Sequence, residues 1–265
     1  MRTRVVEARG AERLAHEDRL ATEEPLEIRL AWPGAPARRI AVTMRTPGHD
    51  FELAAGWLIG EQVLRAADIA AVRYCTDVDL GPAEEFNVVT LESSRPPDRL
   101  PEARLVSSAC GVCGSTSIED VLRGAPEPTP GGPLDLDVVR RLPDLLAAEQ
   151  PGFERTGGLH AAGLFTADGV PVVVREDVGR HNAVDKVVGH CALTATEPPP
   201  VLVLSGRVGF ELVQKAVVSG ISAVVAVGAP SSLAVSLATG AGLALVGFTR
   251  PDRCVVYSGG ARLGV

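Results

Sequence analysis

The chain has 265 residues, 46% of them hydrophobic but only 4% aromatic, and a net charge of −7. That is enough aliphatic material for one large or two small domains with a substantial core, and the negative balance argues against a nucleic-acid-binding surface. Five cysteines in no framework spacing, an N-terminus without a signal-peptide apolar region and no uninterrupted apolar run of membrane-spanning length predict a cytoplasmic protein with reduced thiols and no membrane span.

In chain order, residues 1–24 are polar and predict a loose lead-in. Residues 26–31 and 38–44 alternate like strands around the turn-rich Trp32-Pro33-Gly34-Ala35-Pro36. From 50 to 64 the spacing of Phe51, Ala54, Ala55, Leu58, Ile59 and Val63 is helical. Residues 69–75 and 86–91 read as strands, and Arg95-Pro96-Pro97 breaks the pattern. The proline-rich stretch 125–134 predicts a linker or surface loop, and 137–148 a helix bent or restarted at Pro143. Residues 159–166 and 170–176 predict a hairpin around Ala167-Asp168-Gly169. Then come a helix at 180–193, a strand at 201–205, a helix at 209–218, a strand at 223–227, a helix at 231–239, a strand at 243–248 and a last strand at 254–257. Strands alternating with helices of this length predict an α/β layer sandwich with a largely parallel sheet. The division expected is a strand-rich α+β N-terminal part over 1–134 and an α/β domain over 135–265.

Four stretches carry chemistry. The first is Cys110-Gly111-Val112-Cys113-Gly114, followed by a helix start in which Thr116 and Glu119 have capping-box spacing and Gly124 suits the end. Thiols just before a helix N-terminus are held toward the thiolate, the reactive form of cysteine. Zinc would need two more ligands, and neither the other cysteines nor His160, His181 and His190 supply them at zinc-finger spacing. A dithiol redox motif and a sulfur-bearing nucleophile both stay open at this point.

The second stretch is Arg175 to Gly189, reading R-E-D-V-G-R-H-N-A-V-D-K-V-V-G at the junction of a strand end and a helix start. Ligands bind at such strand ends in open α/β sheets. Arg180 can take phosphate bidentately and His181 can exchange protons near neutral pH. Asn182 and Lys186 share one helix face, while Ala183, Val187 and Cys191 form the face to be buried. The competing reading is a capped helix with surface ion pairs. The third stretch is Ser205-Gly206-Arg207-Val208-Gly209-Phe210-Glu211-Leu212, where free N–H groups of a helix start lie beside Arg207 and offer an anion site. The fourth is Gly247-Phe248-Thr249-Arg250-Pro251-Asp252-Arg253, whose aromatic ring, arginines and acid suit a purine nucleotide.

Taken together, the Cys-Gly-Val-Cys-Gly loop, the Glu-Asp-Val-Gly-Arg-His-Asn-Ala-Val-Asp-Lys run, Ser-Gly-Arg-Val-Gly-Phe-Glu-Leu-Val-Gln-Lys and the C-terminal Gly-Phe-Thr-Arg resemble the formate dehydrogenase accessory sulfurtransferase family. The resemblance covers most of the chain from about residue 25. It implies a cytidine-deaminase-like three-layer α/β/α C-terminal domain and a homodimer. It further implies a cytoplasmic sulfur carrier, which accepts persulfide sulfur from a cysteine desulfurase. That sulfur would pass to the molybdenum (or tungsten) bis(molybdopterin guanine dinucleotide) cofactor of formate dehydrogenase. By position Cys110 matches the persulfide-bearing cysteine and Cys113 the second thiol. Phe248, Thr249, Arg250, Pro251, Asp252 and Arg253 match the cofactor-contacting segment. Zinc-deaminase chemistry is disfavoured, because no H-x-E precedes a P-C-x-x-C. A cofactor chaperone without chemistry and a Cys-x-x-Cys metal or redox protein are the alternatives.

Overall fold

In the computed structural model, which describes residues 1–75, 86–100, 104–106, 118–126 and 132–265, two sheets stand on either side of a pair of closely packed helices. The chain starts with a correction. Strands β1 (Arg2–Arg9) and β2 (Glu12–Arg19) form an antiparallel hairpin where the polar composition predicts a loose lead-in. Nothing in β2 is buried, so no alternation of apolar residues marks it; the backbone ladder and a turn at Gly10, φ +60°, define it instead.

Strands β3 (Glu24–Trp32), β4 (Ala35–Arg45), β5 (Ile69–Tyr74), β6 (Val88–Ser93) and β7 (Arg104–Val106) build a sheet in the order β5-β6-β3-β4-β7. Leu26, Ile28 and Leu30, at the period-two spacing of one strand face, bury with Val89 and Leu91 under helix α1 (Asp50–Gly60), which contributes Leu53, Ala54, Trp57 and Leu58. The helix ends four residues before the predicted Leu64, because Gln62 takes a left-handed conformation, φ +55°. Helix α2 (Ile118–Gly124) follows. The Cys110–Cys113 loop and the predicted cap at Thr116 lie outside the described residues.

Helix α3 (Leu136–Ala147) is capped by the Asp135 side chain, which accepts from Asp137 N at 2.6 Å, and runs as one helix through Pro143. A short helix α4 (Pro151–Thr156) leads into β8 (His160–Phe165) and β9 (Pro171–Asp177). Then come α5 (Arg180–Leu193), β10 (Val201–Leu204), α6 (Phe210–Val218), β11 (Ala223–Ala226), α7 (Ser232–Gly240), β12 (Ala244–Arg250) and β13 (Arg253–Ser258). The second sheet has the order β13-β12-β11-β10-β8-β9. Only β10, β11 and β12 are mutually parallel. The hairpins β8–β9 and β12–β13 flank them antiparallel, as their short connections require.

Alternation along these strands separates the two cores. Leu202, Leu204, Val224, Ala226 and Leu245 face α5, α6 and α7, while Val201, Val203, Val225, Ala244 and Val246 face α3. The result is an α/β/α three-layer arrangement, with α5 also packed on α1 of the N-terminal sheet. No helix among the described residues is long and apolar enough to cross a membrane.

Candidate functional site

The parallel strands β10, β11 and β12 end at one edge of the second sheet, and β9, antiparallel to β8, points the same way. Three of the chemistry-bearing stretches of the sequence therefore emerge together. Backbone bonds stitch the third and fourth stretches through the end of β11: Gly228 N donates to Gly206 O (3.0 Å), Val208 N to Ala229 O (3.0 Å), and Phe248 N to Gly228 O (3.2 Å). The strand-end edge of an open α/β sheet is where ligands bind.

Much of the Glu176–Lys186 run is architectural. Asp177 is fully buried. Its Oδ1 accepts from Gly179 N (2.8 Å) and Asn182 Nδ2 (2.9 Å), and its Oδ2 accepts from Thr46 N (3.1 Å) and lies 2.7 Å from Lys186 Nζ. Lys186 also donates to Thr46 O (2.9 Å), Asn182 donates to Met44 O (2.8 Å), and Thr43 donates to Asn182 (3.2 Å). These bonds fasten the end of β4 to the start of α5. The sequence placed Asn182 and Lys186 on a face opposite the buried one. Both are in fact buried, because α1 covers the side of α5 that the sheet does not. Lys215 Nζ lies 2.7 Å from Asp185 Oδ1 in the same layer.

Three arginines remain at the edge, beside the exposed acid Asp252 and Glu211 in the first turn of α6. Arg180, Arg207 and Arg250 have no carboxylate partner among the described residues of a chain with net charge −7. Arg250 donates from Nη1 to Val227 O (3.0 Å) and Thr249 O (2.7 Å), which fixes it beside the β11 end. Helices α5 and α6 begin at Gly179 and Gly209, neither with a side-chain cap, so the N–H groups of both first turns stay available beside Arg180 and Arg207. The fourth stretch forms the bulged turn between β12 and β13: Phe248 has φ +48° and is 39% exposed, Thr249 is buried, and Pro251, Asp252 and Arg253 are exposed.

His181 does not have the near-neutral proton exchange its residue type promises. Burial first, then the Lys215 and Arg180 cations, push it down to about 3, so it is a neutral imidazole. Its Nε2 is buried without a hydrogen-bond partner among the described residues, and Glu211 Oε2 lies 3.8 Å away, a contact with a neutral ring rather than an ion pair. Burial and the Arg180 guanidinium lower His160 as well.

Beside this rim is a cavity of about 430 Å³ on the α3 side of the edge, lined by Leu146, Gln150, Phe153, His160, Ser205 and Val227 among others. Glu176 holds its α4 wall, accepting from Gly152 N (2.7 Å) and Phe153 N (2.6 Å). The sequence singled out neither Gln150 nor Phe153, and no local spacing marks them; the cavity arises only when Glu176 draws α4 across from β9. The structure brings Arg180, His181, Arg207 and Phe248 to Arg253 to one edge. Cys110 and Cys113 lie outside the described residues.

Comparison with known proteins adds the context of this edge. The sequence pattern described as the FdhD/NarQ family matches residues 21–264. A protein of Nocardia farcinica named "Sulfur carrier protein FdhD" is 48% identical over 99% of this chain and 94% of its own length. One of the same name from Streptomyces coelicolor is 46% identical over 100% of this chain and 95% of its own. The crystal structure of a formate dehydrogenase accessory protein from Desulfotalea psychrophila superposes with a TM-score of 0.78, covering 99% of this chain and 98% of that one at 24% identity; it is similar in fold. The matched span takes in the Cys110 stretch and all the strand-end segments that meet at the edge, and the chain belongs to the FdhD/NarQ family.

Proposed function

We propose that this protein is a sulfur carrier that serves formate dehydrogenase. The observation that carries the reading is the 48% identity, over 99% of the chain, with a protein named as a sulfur carrier. The Cys110 thiolate attacks the outer sulfur of a cysteine desulfurase persulfide. A new S–S bond forms at Cys110, the donor's S–S bond breaks, and the donor leaves as its thiolate. The S–S bond of the Cys110 persulfide then breaks: Cys110 leaves as its thiolate and the outer sulfur, reduced to sulfide by two electrons from the reduced metal of the acceptor, passes to the molybdenum bis(molybdopterin guanine dinucleotide) of formate dehydrogenase, which is the cargo's acceptor and not a resident group. Cys113 is the second thiol of the loop. The protein works in this reading as a cytoplasmic homodimer.

The acceptor is large and multiply anionic, and the strand-end edge supports its binding. Arg180, Arg207 and Arg250 supply guanidinium groups with no carboxylate partner among the described residues, and the first turns of α5 and α6 supply N–H donors. His181 contributes a neutral imidazole, and Phe248 to Arg253 the adjoining turn.

Complementation of a strain lacking the endogenous carrier tests the reading. Cys110→Ala abolishes formate dehydrogenase maturation while the purified variant still binds guanine nucleotide. Full maturation with Cys110→Ala contradicts a carrier and leaves a chaperone that only holds the cofactor.

A further inference from the structure

We infer that Glu211 is a positioning residue: it holds His181 as the tautomer protonated on Nε2, so that the imidazole presents a bare Nδ1 lone pair at the strand-end edge as a hydrogen-bond acceptor. The inference deepens the carrier reading and rests on it only for the identity of what binds at the edge.

His181 and Asp185 stand one turn apart on α5, and Glu211 and Lys215 one turn apart on α6. The helices meet through these pairs. Glu211 Oε2 lies 3.8 Å from His181 Nε2, and Lys215 Nζ lies 2.7 Å from Asp185 Oδ1. The Glu211 carboxylate is folded back over Gly209: a Cβ there would come within 3.2 Å of Oε2, so the missing side chain leaves it room. The rival donor to Nε2, the Lys215 ammonium, is engaged by Asp185 and, at 3.5 Å, by Glu61. That leaves the Glu211 carboxylate as the group in reach of Nε2.

A neutral imidazole carries one ring proton, and the surroundings of one nitrogen decide what the other does. His181 is neutral because burial and the Lys215 and Arg180 cations disfavour the charged ring. Its Nε2 is sealed from solvent and has no hydrogen-bond partner among the described residues. At 3.8 Å the carboxylate is beyond hydrogen-bond distance, but its charge decides between the tautomers. A lone pair on Nε2 would face a negative oxygen in a buried place, whereas an N–H turns its positive end to it. The proton therefore sits on Nε2. Nδ1 is in the opposite situation: it makes no hydrogen bond within the described residues, yet it is not sealed from solvent. His181 is the second residue of α5, whose first turn opens at the edge beside Arg180.

A bare Nδ1 accepts a hydrogen bond and repels an anionic oxygen. Phosphate is left to Arg180 and Arg207, and His181 takes a neutral donor of the bound molecule: an amine, an amide N–H or a hydroxyl.

Histidine-selective 15N labelling of the full chain tests the assignment, with His181→Gln to identify the signals. Protonated and bare ring nitrogens have widely separated 15N shifts. In the wild-type chain Nε2 of His181 reads as protonated and Nδ1 as bare. Glu211→Gln, whose amide oxygen still accepts, keeps that pattern; Glu211→Leu moves both nitrogens toward the average of the two tautomers. A Glu211 that only complements the α6 dipole would lower the stability of both variants and leave the pattern unmoved. A proton on Nδ1 in the wild-type chain overturns the inference, as does the wild-type pattern in Glu211→Leu. The wild-type spectrum alone can overturn it, so a variant that fails to fold does not decide the outcome. Complementation is measured alongside. Glu211→Leu lowers formate dehydrogenase maturation about tenfold, and Glu211→Gln recovers it. Full maturation with Glu211→Leu overturns the use of the lone pair at the edge. No maturation with the wild-type chain sinks the carrier reading and leaves the tautomer standing.

Discussion

Gly56 lies so close to the backbone of Asp185 that a Cβ placed on it would overlap the Asp185 carbonyl oxygen. The contact is reciprocal: a Cβ on Gly189 would overlap the carbonyl oxygen of Glu52. Helices α1 and α5 therefore cross antiparallel with a missing side chain on each, and this crossing joins the N-terminal sheet to the α/β/α layers. Helix propensity alone says that Gly56→Ala stabilises by about 1 kcal/mol. Overpacking against rigid backbone says it destabilises by about 3 kcal/mol. We expect the second, for Gly56→Ala and Gly189→Ala alike, read as a lowered urea midpoint. An unchanged or raised midpoint contradicts the close crossing.

The charged residues of the strand ends divide into two kinds, and mutation separates them. Asp177→Ala leaves Lys186 buried without its counter-ion, which costs about 3–5 kcal/mol and lowers the melting temperature by about 10 °C. Arg207 is exposed and unpaired, so Arg207→Ala changes stability by less than about 0.5 kcal/mol but weakens inorganic pyrophosphate about tenfold. Thermal melts and dialysis on the same two proteins check the contrast. A cold-sensitive or strongly destabilised Arg207→Ala, or a stable Asp177→Ala, reverses the assignment.

Acid stability follows from His181. Its folded pKa, about 3, lies below the 6.5 of the unfolded chain. Its contribution is therefore complete above pH 6.5 and is lost as the pH falls toward 3, because the unfolded state takes up the proton first. The slope is about 1.4 kcal/mol per pH unit in that window. His181→Gln, neutral at every pH, flattens the stability profile below pH 6.5 relative to wild type. Parallel profiles for the two proteins show that His181 titrates normally in the fold.

Phe248 holds a left-handed backbone, φ +48°, at a bulge where β12 turns into β13. That conformation costs a residue with a Cβ about 1–2 kcal/mol, and glycine escapes the cost. Phe248→Gly should accordingly be more stable than Phe248→Ala by about 1 kcal/mol, although glycine is normally the weaker choice in a strand. Chemical denaturation of both variants decides it, and an Ala variant as stable as the Gly variant shows that the site carries no strain.

How much of this the sequence discloses depends on where each residue finds its partners. Helix α5 is predicted to its observed bounds, Arg180–Leu193, and the apolar runs of β10, β11 and β12 and the hairpin of β8 and β9 are plain in the sequence. Those elements are fixed by local pattern and by burial of one chain segment against the next. The hairpin of β1 and β2 is hidden because neither strand buries an apolar face. Helix α4 is hidden because its cap, Glu176, comes from over twenty residues along the chain. The Asp177–Lys186 run is conspicuous for its polarity, which reads as a ligand site; the fold spends its buried members on fastening Thr43, Met44 and Thr46. The placing of Arg180 and Arg207 beside helix starts is legible in the sequence, whereas Gln150 has no signal until the cavity forms around it.

The account stands most directly on Cys110. The purified chain is incubated with a cysteine desulfurase and cysteine, and its intact mass is taken without reductant. The account predicts the gain of a sulfur atom on the wild-type chain, released by reductant and absent from Cys110→Ala. An equal gain in Cys110→Ala, or none in the wild-type chain, contradicts it.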